Sequence, residues 1–101
     1  MGKFVKVATK SALPEGTGMV LEVEGKEVAL FNAAGTFHAI DSVCKHQGGP
    51  LGDGSLEGKT VTCPWHGWEY DVTTGSCLTN PNASQAKYAV KVEGDHILIE
   101  V

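Results

Sequence analysis

An all-β domain, built as a sandwich or small barrel of short strands, is what this sequence predicts. Several segments alternate apolar and polar side chains with period two, the mark of strands with one buried face. Turn residues fall between these segments. No stretch of ~12 residues or more places apolar positions at i, i+3, i+4 and i+7, so long helices are not expected.

Taken in order, Phe4 to Ala8 sets Val5 and Val7 on one side. Ser11 to Glu15 allows one helical turn, with Ser11 as its cap. Thr17 to Glu24 groups Met19, Leu21 and Val23, Lys26 to Asn32 groups Val28 and Leu30, and Gly25 lies between them, which predicts a β-hairpin. Thr36 to Ile40 follows the Ala34-Gly35 turn, Thr60 to Cys63 is a short β-branched run, and Glu69 to Val72 ends at Thr74-Gly75. Tyr88, Val90 and Val92 alternate before Gly94-Asp95, and Ile97, Ile99 and Val101 close the chain. The middle is different: Cys44 to Gly58 holds five glycines and a proline, and Cys63 to Gly67 is a second compact loop containing Pro and Gly.

The 101 residues suit one compact domain, and 42% apolar with 20% charged residues is ordinary globular composition. Twelve acidic against eight basic residues give a net charge of −4, which disfavours nucleic acid or an anionic membrane and suits a protein partner with a basic docking face. Apolar runs such as Gly18 to Val23 are far shorter than the ~20 residues of a membrane helix, and Met1 to Lys6 carries no apolar leader, so a cytoplasmic location is expected. Three cysteines cannot all pair with one another, and so few in a cytoplasmic chain favour metal binding or thiols over a disulfide framework.

Cys44-Lys45-His46 is followed, after sixteen intervening residues, by Cys63-Pro64-Trp65-His66. Each of two loops thus offers one thiolate and one imidazole, and a Cys and His one or two residues apart in a tight loop can aim both donors at one centre. One isolated Cys-x-His is a weak sign. Two such pairs, each in a Gly/Pro loop at a strand end, form a specific four-ligand set. Gly48, Gly49, Gly52 and Gly67 let backbone approach a buried inorganic centre and permit positive φ.

This pattern resembles the ligand signature of Rieske proteins, and Cys63-Pro64-Trp65-His66-Gly67 with Tyr70-Asp71 and Thr74-Gly75 resembles that family's second cluster loop. The resemblance implies a Rieske-type antiparallel β-sandwich, a single domain over residues 1–101 with a small cluster-binding subdomain of two loops at about 42–71. It implies one [2Fe–2S] cluster, with Cys44 and Cys63 on one iron and His46 and His66 on the other. Two Fe³⁺, two S²⁻ and two thiolates sum to zero charge. An electron enters a neutral centre more easily than a dianion, and Rieske potentials accordingly begin at roughly −150 mV against roughly −400 mV for plant-type ferredoxins.

The respiratory branch of the family has two further cysteines that bridge the loops, where this chain has Gly49 and Trp65. It also has a serine donor where this chain has Trp68, whereas Tyr70 matches that branch's tyrosine, which bonds a ligand thiolate. The chain therefore resembles the low-potential Rieske-type ferredoxins of multicomponent oxygenases. The partners implied are an NAD(P)H-dependent flavin reductase and a terminal oxygenase, with the outer edges of His46 and His66 as the electron exit.

Trp65 and Trp68 are candidates for shielding the cluster. Cys77, with no histidine near it, reads as a small buried apolar side chain, and His38 and His96 read as strand residues rather than ligands. Two alternatives stay open. One is a small redox subunit bound to a nitrite reductase-like enzyme. The other is a structural Cys₂His₂ zinc module, although zinc fingers usually pair Cys with Cys and His with His. No His/carboxylate set for mononuclear iron and no nucleotide-binding glycine motif stands outside the loops, so no catalytic activity of its own is expected.

Overall fold

The computed structural model describes residues 3–42, 51–64, 67–80 and 83–100. Among these, ten strands form three antiparallel sheets: β1 (Phe4–Thr9), β2 (Thr17–Val23), β3 (Lys26–Ala33), β4 (Thr36–Asp41), β5 (Ser55–Glu57), β6 (Thr60–Thr62), β7 (Glu69–Asp71), β8 (Lys87–Tyr88), β9 (Val90–Glu93) and β10 (His96–Glu100). The sheet orders are β1-β10-β9, β2-β3-β4-β8 and β5-β6-β7. The expected all-β class and antiparallel pairing are observed, and no helix among the described residues is long and apolar enough to cross a membrane.

β3 organises the layers. Its residues from Val28 to Ala33 are all buried. Val28 and Leu30 join Leu13, Val23, Ala39, Ile97 and Ile99 in one core. Ala29, Phe31 and Ala33 join Ile40, Leu51, Val61, Cys63, Tyr70, Val72 and Cys77 in the other. The β2-β3-β4-β8 sheet is thus the middle layer, with the β1-β10-β9 sheet on one face and the small sheet on the other. The pattern Val28/Leu30 predicts one buried face for β3; the second is buried because another sheet covers it.

Asn32 closes the upper end of this layer. Its Nδ2 donates to the Leu13 carbonyl at 2.8 Å and its Oδ1 accepts the Gly35 N–H at 2.8 Å, so a side chain that is only 6% exposed leaves neither polar end wanting. The turn it supports has Ala34 at φ 55° and Gly35 at φ 90°, a left-handed pair that matches hairpin twist.

Several sequence expectations are corrected. The early turn is a 3₁₀ segment at Lys10–Ala12 preceded by Thr9, and Ser11 lies inside it rather than capping it. A tertiary bond from Lys10 N–H to the Asp95 carbonyl, at 2.8 Å, sets where that turn starts. Tyr88, Val90 and Val92 do not form one strand. The chain changes sheets at Ala89, since β8 pairs with β4 and β9 with β10, and Val92 is left 42% exposed. β5 lies unannounced in the glycine-rich middle because three residues are too few for a period to show. Val101 lies outside the described residues.

His38, on β4, is partly buried, and burial first, then the Lys87 and Lys59 ammonium groups, lower its pKa, with Asp71 opposing. The folded state therefore binds this proton less readily than the unfolded chain. Its contribution to stability is complete above the ordinary value of about 6.5 and is lost as pH falls through the lower folded value. We expect urea unfolding to show that His38→Gln loses less stability than wild type between pH 7.5 and pH 5.5; equal losses would remove His38 as a cause.

Candidate metal centre

β6 and β7 are the two arms of a hairpin whose connecting loop begins at Cys63. The Cys63 N–H donates to the Trp68 carbonyl at 2.7 Å, which closes the loop at its base. Gly67 takes φ 74°, the left-handed conformation expected of a glycine there. Cys63 is 2% exposed and shares its core with Leu51, Val61 and Tyr70, all 0% exposed. Trp68 is partly buried and packs on the same core.

The other loop is fastened at both ends of residues 43–50. Ser42, 0% exposed, accepts the Leu51 N–H on its carbonyl at 2.8 Å and the Gly52 N–H on its hydroxyl at 3.4 Å, while its own N–H donates to the Glu27 carbonyl at 3.0 Å. A 3₁₀ turn at Leu51–Asp53 follows and lies directly on β2. A Cβ on Gly52 would stand 2.6 Å from the Met19 carbonyl carbon and oxygen, and a Cβ on Gly18 would stand 2.5 Å from the Phe31 ring. Gly52 is therefore required for contact with β2, and not for positive φ. A Cβ on Gly54 would collide with the Thr62 carbonyl, and Ser55 pairs with Thr62. These contacts bring Gly54, three residues after Leu51, beside Thr62, the residue preceding Cys63.

Of the expected ligands, the structure describes Cys63. Cys44, His46 and His66 lie outside the described residues, as do Trp65, Gly48 and Gly49. Tyr70 and Cys77 pair across a β-bridge in the core that holds Cys63. Cys77 is a buried unbridged thiol, 4% exposed, whose Sγ accepts the Asn80 N–H at 3.3 Å. That agrees with its reading as a small buried side chain. Ser42, Gly18 and Gly54 escaped the sequence reading, for their roles rest on contacts with distant strands.

Two titratable groups beyond this end are set by local bonds. The Thr73 hydroxyl and N–H both donate to Asp71 Oδ1, at 2.6 and 2.8 Å, and hold the Asp71 carboxyl below its ordinary value. The Tyr88 hydroxyl, on the opposite flank of the middle sheet, donates to Asp41 at 3.1 Å, and burial with the Asp41 charge pushes its pKa up.

The residues present fit an iron–sulfur group. A cysteine buried against Leu51, Val61 and Tyr70 supplies a thiolate in low-dielectric surroundings, and the two loop bases that carry the Cys/His pairs adjoin. Mixed thiolate and imidazole donors are the chemistry of a histidine-ligated cluster.

Comparison with known proteins agrees with this geometry. The sequence profile of the Rieske [2Fe-2S] domain matches residues 3–93. The ferredoxin component of the naphthalene 1,2-dioxygenase system of Pseudomonas aeruginosa is 37% identical over 100 residues, covering 98% of this chain and 96% of that protein. The ferredoxin of carbazole 1,9a-dioxygenase from Nocardioides aromaticivorans IC177 superposes with a TM-score of 0.89 at 29% identity, covering 96% of each chain. A putative NADH-dependent nitrite reductase small subunit from Mycobacterium tuberculosis shares the fold, with a TM-score of 0.91 at 24% identity over 100% of this chain and 96% of that one.

Proposed function

Since this chain belongs to the Rieske [2Fe-2S] domain family, we propose that it is a one-electron carrier, taking electrons from an NAD(P)H-dependent flavin reductase and delivering them to a terminal oxygenase. Cys44, His46, Cys63 and His66 would hold the one [2Fe–2S] cluster. When bound, that cluster supplies a site that accepts and releases one electron at a time. The chain contributes binding and exclusion of water. Leu51, Val61 and Tyr70 wall off Cys63, Trp68 covers their flank, and Ser42 with Gly52 pins the base of the loop bearing Cys44 and His46. In this reading residues 42–71 act as the cluster subdomain of a single domain, and the chain serves an oxidoreductase system without being an enzyme itself.

The observation that carries the proposal is the placement of Cys63, buried at the mouth of a hairpin loop and sharing a core with Leu51, which follows the segment bearing Cys44 and His46. The relatives that match almost end to end support the oxygenase partner: one is a naphthalene dioxygenase ferredoxin component, the other a carbazole dioxygenase ferredoxin. A cytoplasmic setting suits a chain that keeps Cys77 as a thiol.

The test is electron paramagnetic resonance of the dithionite-reduced protein with iron and zinc analysis of the same sample. A rhombic signal with average g below the free-electron value, with two irons per chain, is expected for a [2Fe–2S] centre. Zinc without iron after anaerobic purification would overturn the carrier and leave a structural site. Stable co-purification with a large subunit would replace the diffusible carrier by a permanent redox subunit of the nitrite reductase kind.

A further inference from the structure

We propose, building on the carrier reading, that the outer face of the small sheet docks a protein redox partner that presents basic side chains around an apolar pocket. Register defines this face. Leu56, Val61, Tyr70 and Cys77 form the inward row that packs on the core. Their neighbours along each strand point the other way. Ser55, Thr62 and Glu69 make one outward row, and Glu57, Thr60 and Asp71 make the next. The segment after the Tyr70–Cys77 bridge extends both rows, because Leu78 N–H donates to the Glu69 carbonyl at 2.7 Å and Asp71 N–H to the Ser76 carbonyl at 2.9 Å.

The face carries three carboxylates, Glu57, Glu69 and Asp71, and no lysine or arginine. Lys59 stands in the turn at the far end, where its charge acts on Asp71. Among the described residues the ion pairs Lys3–Glu24 and Lys91–Glu93 involve none of these carboxylates and so do not neutralise them.

Leu78 stands in the row next to the cluster loop and is 54% exposed. The other exposed large apolar residues among those described are placed differently. The Phe4 ring lies under the Lys91 ammonium at 4.7 Å, and Val92 borders a hollow flanked by Lys10 and Lys91. Leu78 instead stands directly across from Glu69, on a face without lysine or arginine. An apolar anchor beside like charges is how a small interface obtains both affinity and steering, since the anchor slows dissociation and the charges speed encounter. A partner seated here lies beside Glu69, which directly follows the loop running from Cys63 to Trp68.

The test uses the reduced, cluster-loaded chain and cytochrome c, a small basic haem protein, as acceptor in stopped-flow at low and high ionic strength. Four proteins are compared: wild type, Leu78→Ser, Glu57→Lys/Glu69→Lys, and Glu22→Lys/Glu27→Lys. The last pair lies cross-strand on the exposed end of the β2–β3 hairpin and changes the net charge by the same amount. Leu78→Ser is expected to lower the second-order rate constant about tenfold at either salt. Glu57→Lys/Glu69→Lys is expected to lower it at least tenfold at low salt and to flatten its salt dependence, with less than about a threefold change for Glu22→Lys/Glu27→Lys. Unchanged resonance spectra and potentials keep these effects at docking rather than at the cluster.

Equal effects of the two double variants, or no effect of Leu78→Ser, would overturn the face while leaving the carrier reading intact. Failure of the wild type to reduce the acceptor at all would overturn both.

Discussion

Cys63→Ser is expected to retain less than about a tenth of the wild-type iron, with loss of visible absorbance and of the reduced resonance signal. Cys77→Ser is expected to retain the iron. The two cysteines are nearly matched controls for each other: 2% and 4% exposed, in one core, flanking the same tyrosine. Either substitution exchanges a buried thiol for a more polar hydroxyl, so a purely structural cost should be similar for the two. Of the two, only Cys63 opens a hairpin loop that carries a histidine, so only its loss would remove a thiolate from the proposed ligand set. Because cluster binding is linked to folding, Cys63→Ser should also unfold at a lower denaturant concentration than Cys77→Ser. Iron retained by Cys63→Ser and lost by Cys77→Ser would reverse the assignment.

Gly54→Ala should be among the most damaging single-methyl additions. The new Cβ meets the Thr62 carbonyl head-on, with Val61 Cγ2 at 3.0 Å and the Leu51 carbonyl at 3.1 Å. None of these is the far end of a flexible side chain. Relief requires β5 to part from β6, or the 3₁₀ turn at Leu51–Asp53 to lift from β2. Overpacking of this kind costs about 3 kcal/mol, the upper end of its usual range. For a domain of this size that corresponds to a fall in Tm of about 12 °C or more. The clash also lies one residue from Cys63, so cluster occupancy should fall with stability. Gly58→Ala is the comparison: nothing lies within 4 Å of its Cβ, and its only handicap is a φ of 61°. Calorimetry showing equal losses for the two would mean that the approach of the strands at Gly54 costs no more than the left-handed backbone at Gly58.

The strands with a one-sided pattern were legible in the sequence. Met19, Leu21 and Val23 at alternate positions predict β2, and Ile97 and Ile99 predict β10, because period two is a property of the strand alone. The two Cys/His pairs were legible for a related reason: ligand chemistry and short spacing are local. Burial of Cys77 was also readable, since a cysteine without a partner motif most often packs as an apolar residue.

What the chain alone determined is therefore its class and most of its turns, together with the expectation that Cys44, His46, Cys63 and His66 form one donor set. The tertiary structure decided the rest. It buried both faces of β3, sent β8 and β9 to different sheets on either side of Ala89, made Gly52 a contact with Met19, and left Leu78 exposed beside Glu69 on the face that also carries Glu57 and Asp71. Each of these depends on a strand distant in sequence, and no local period or spacing encodes which distant surface will arrive. A donor atom announces itself by its element; a neighbour across a sheet is selected only when the whole chain packs.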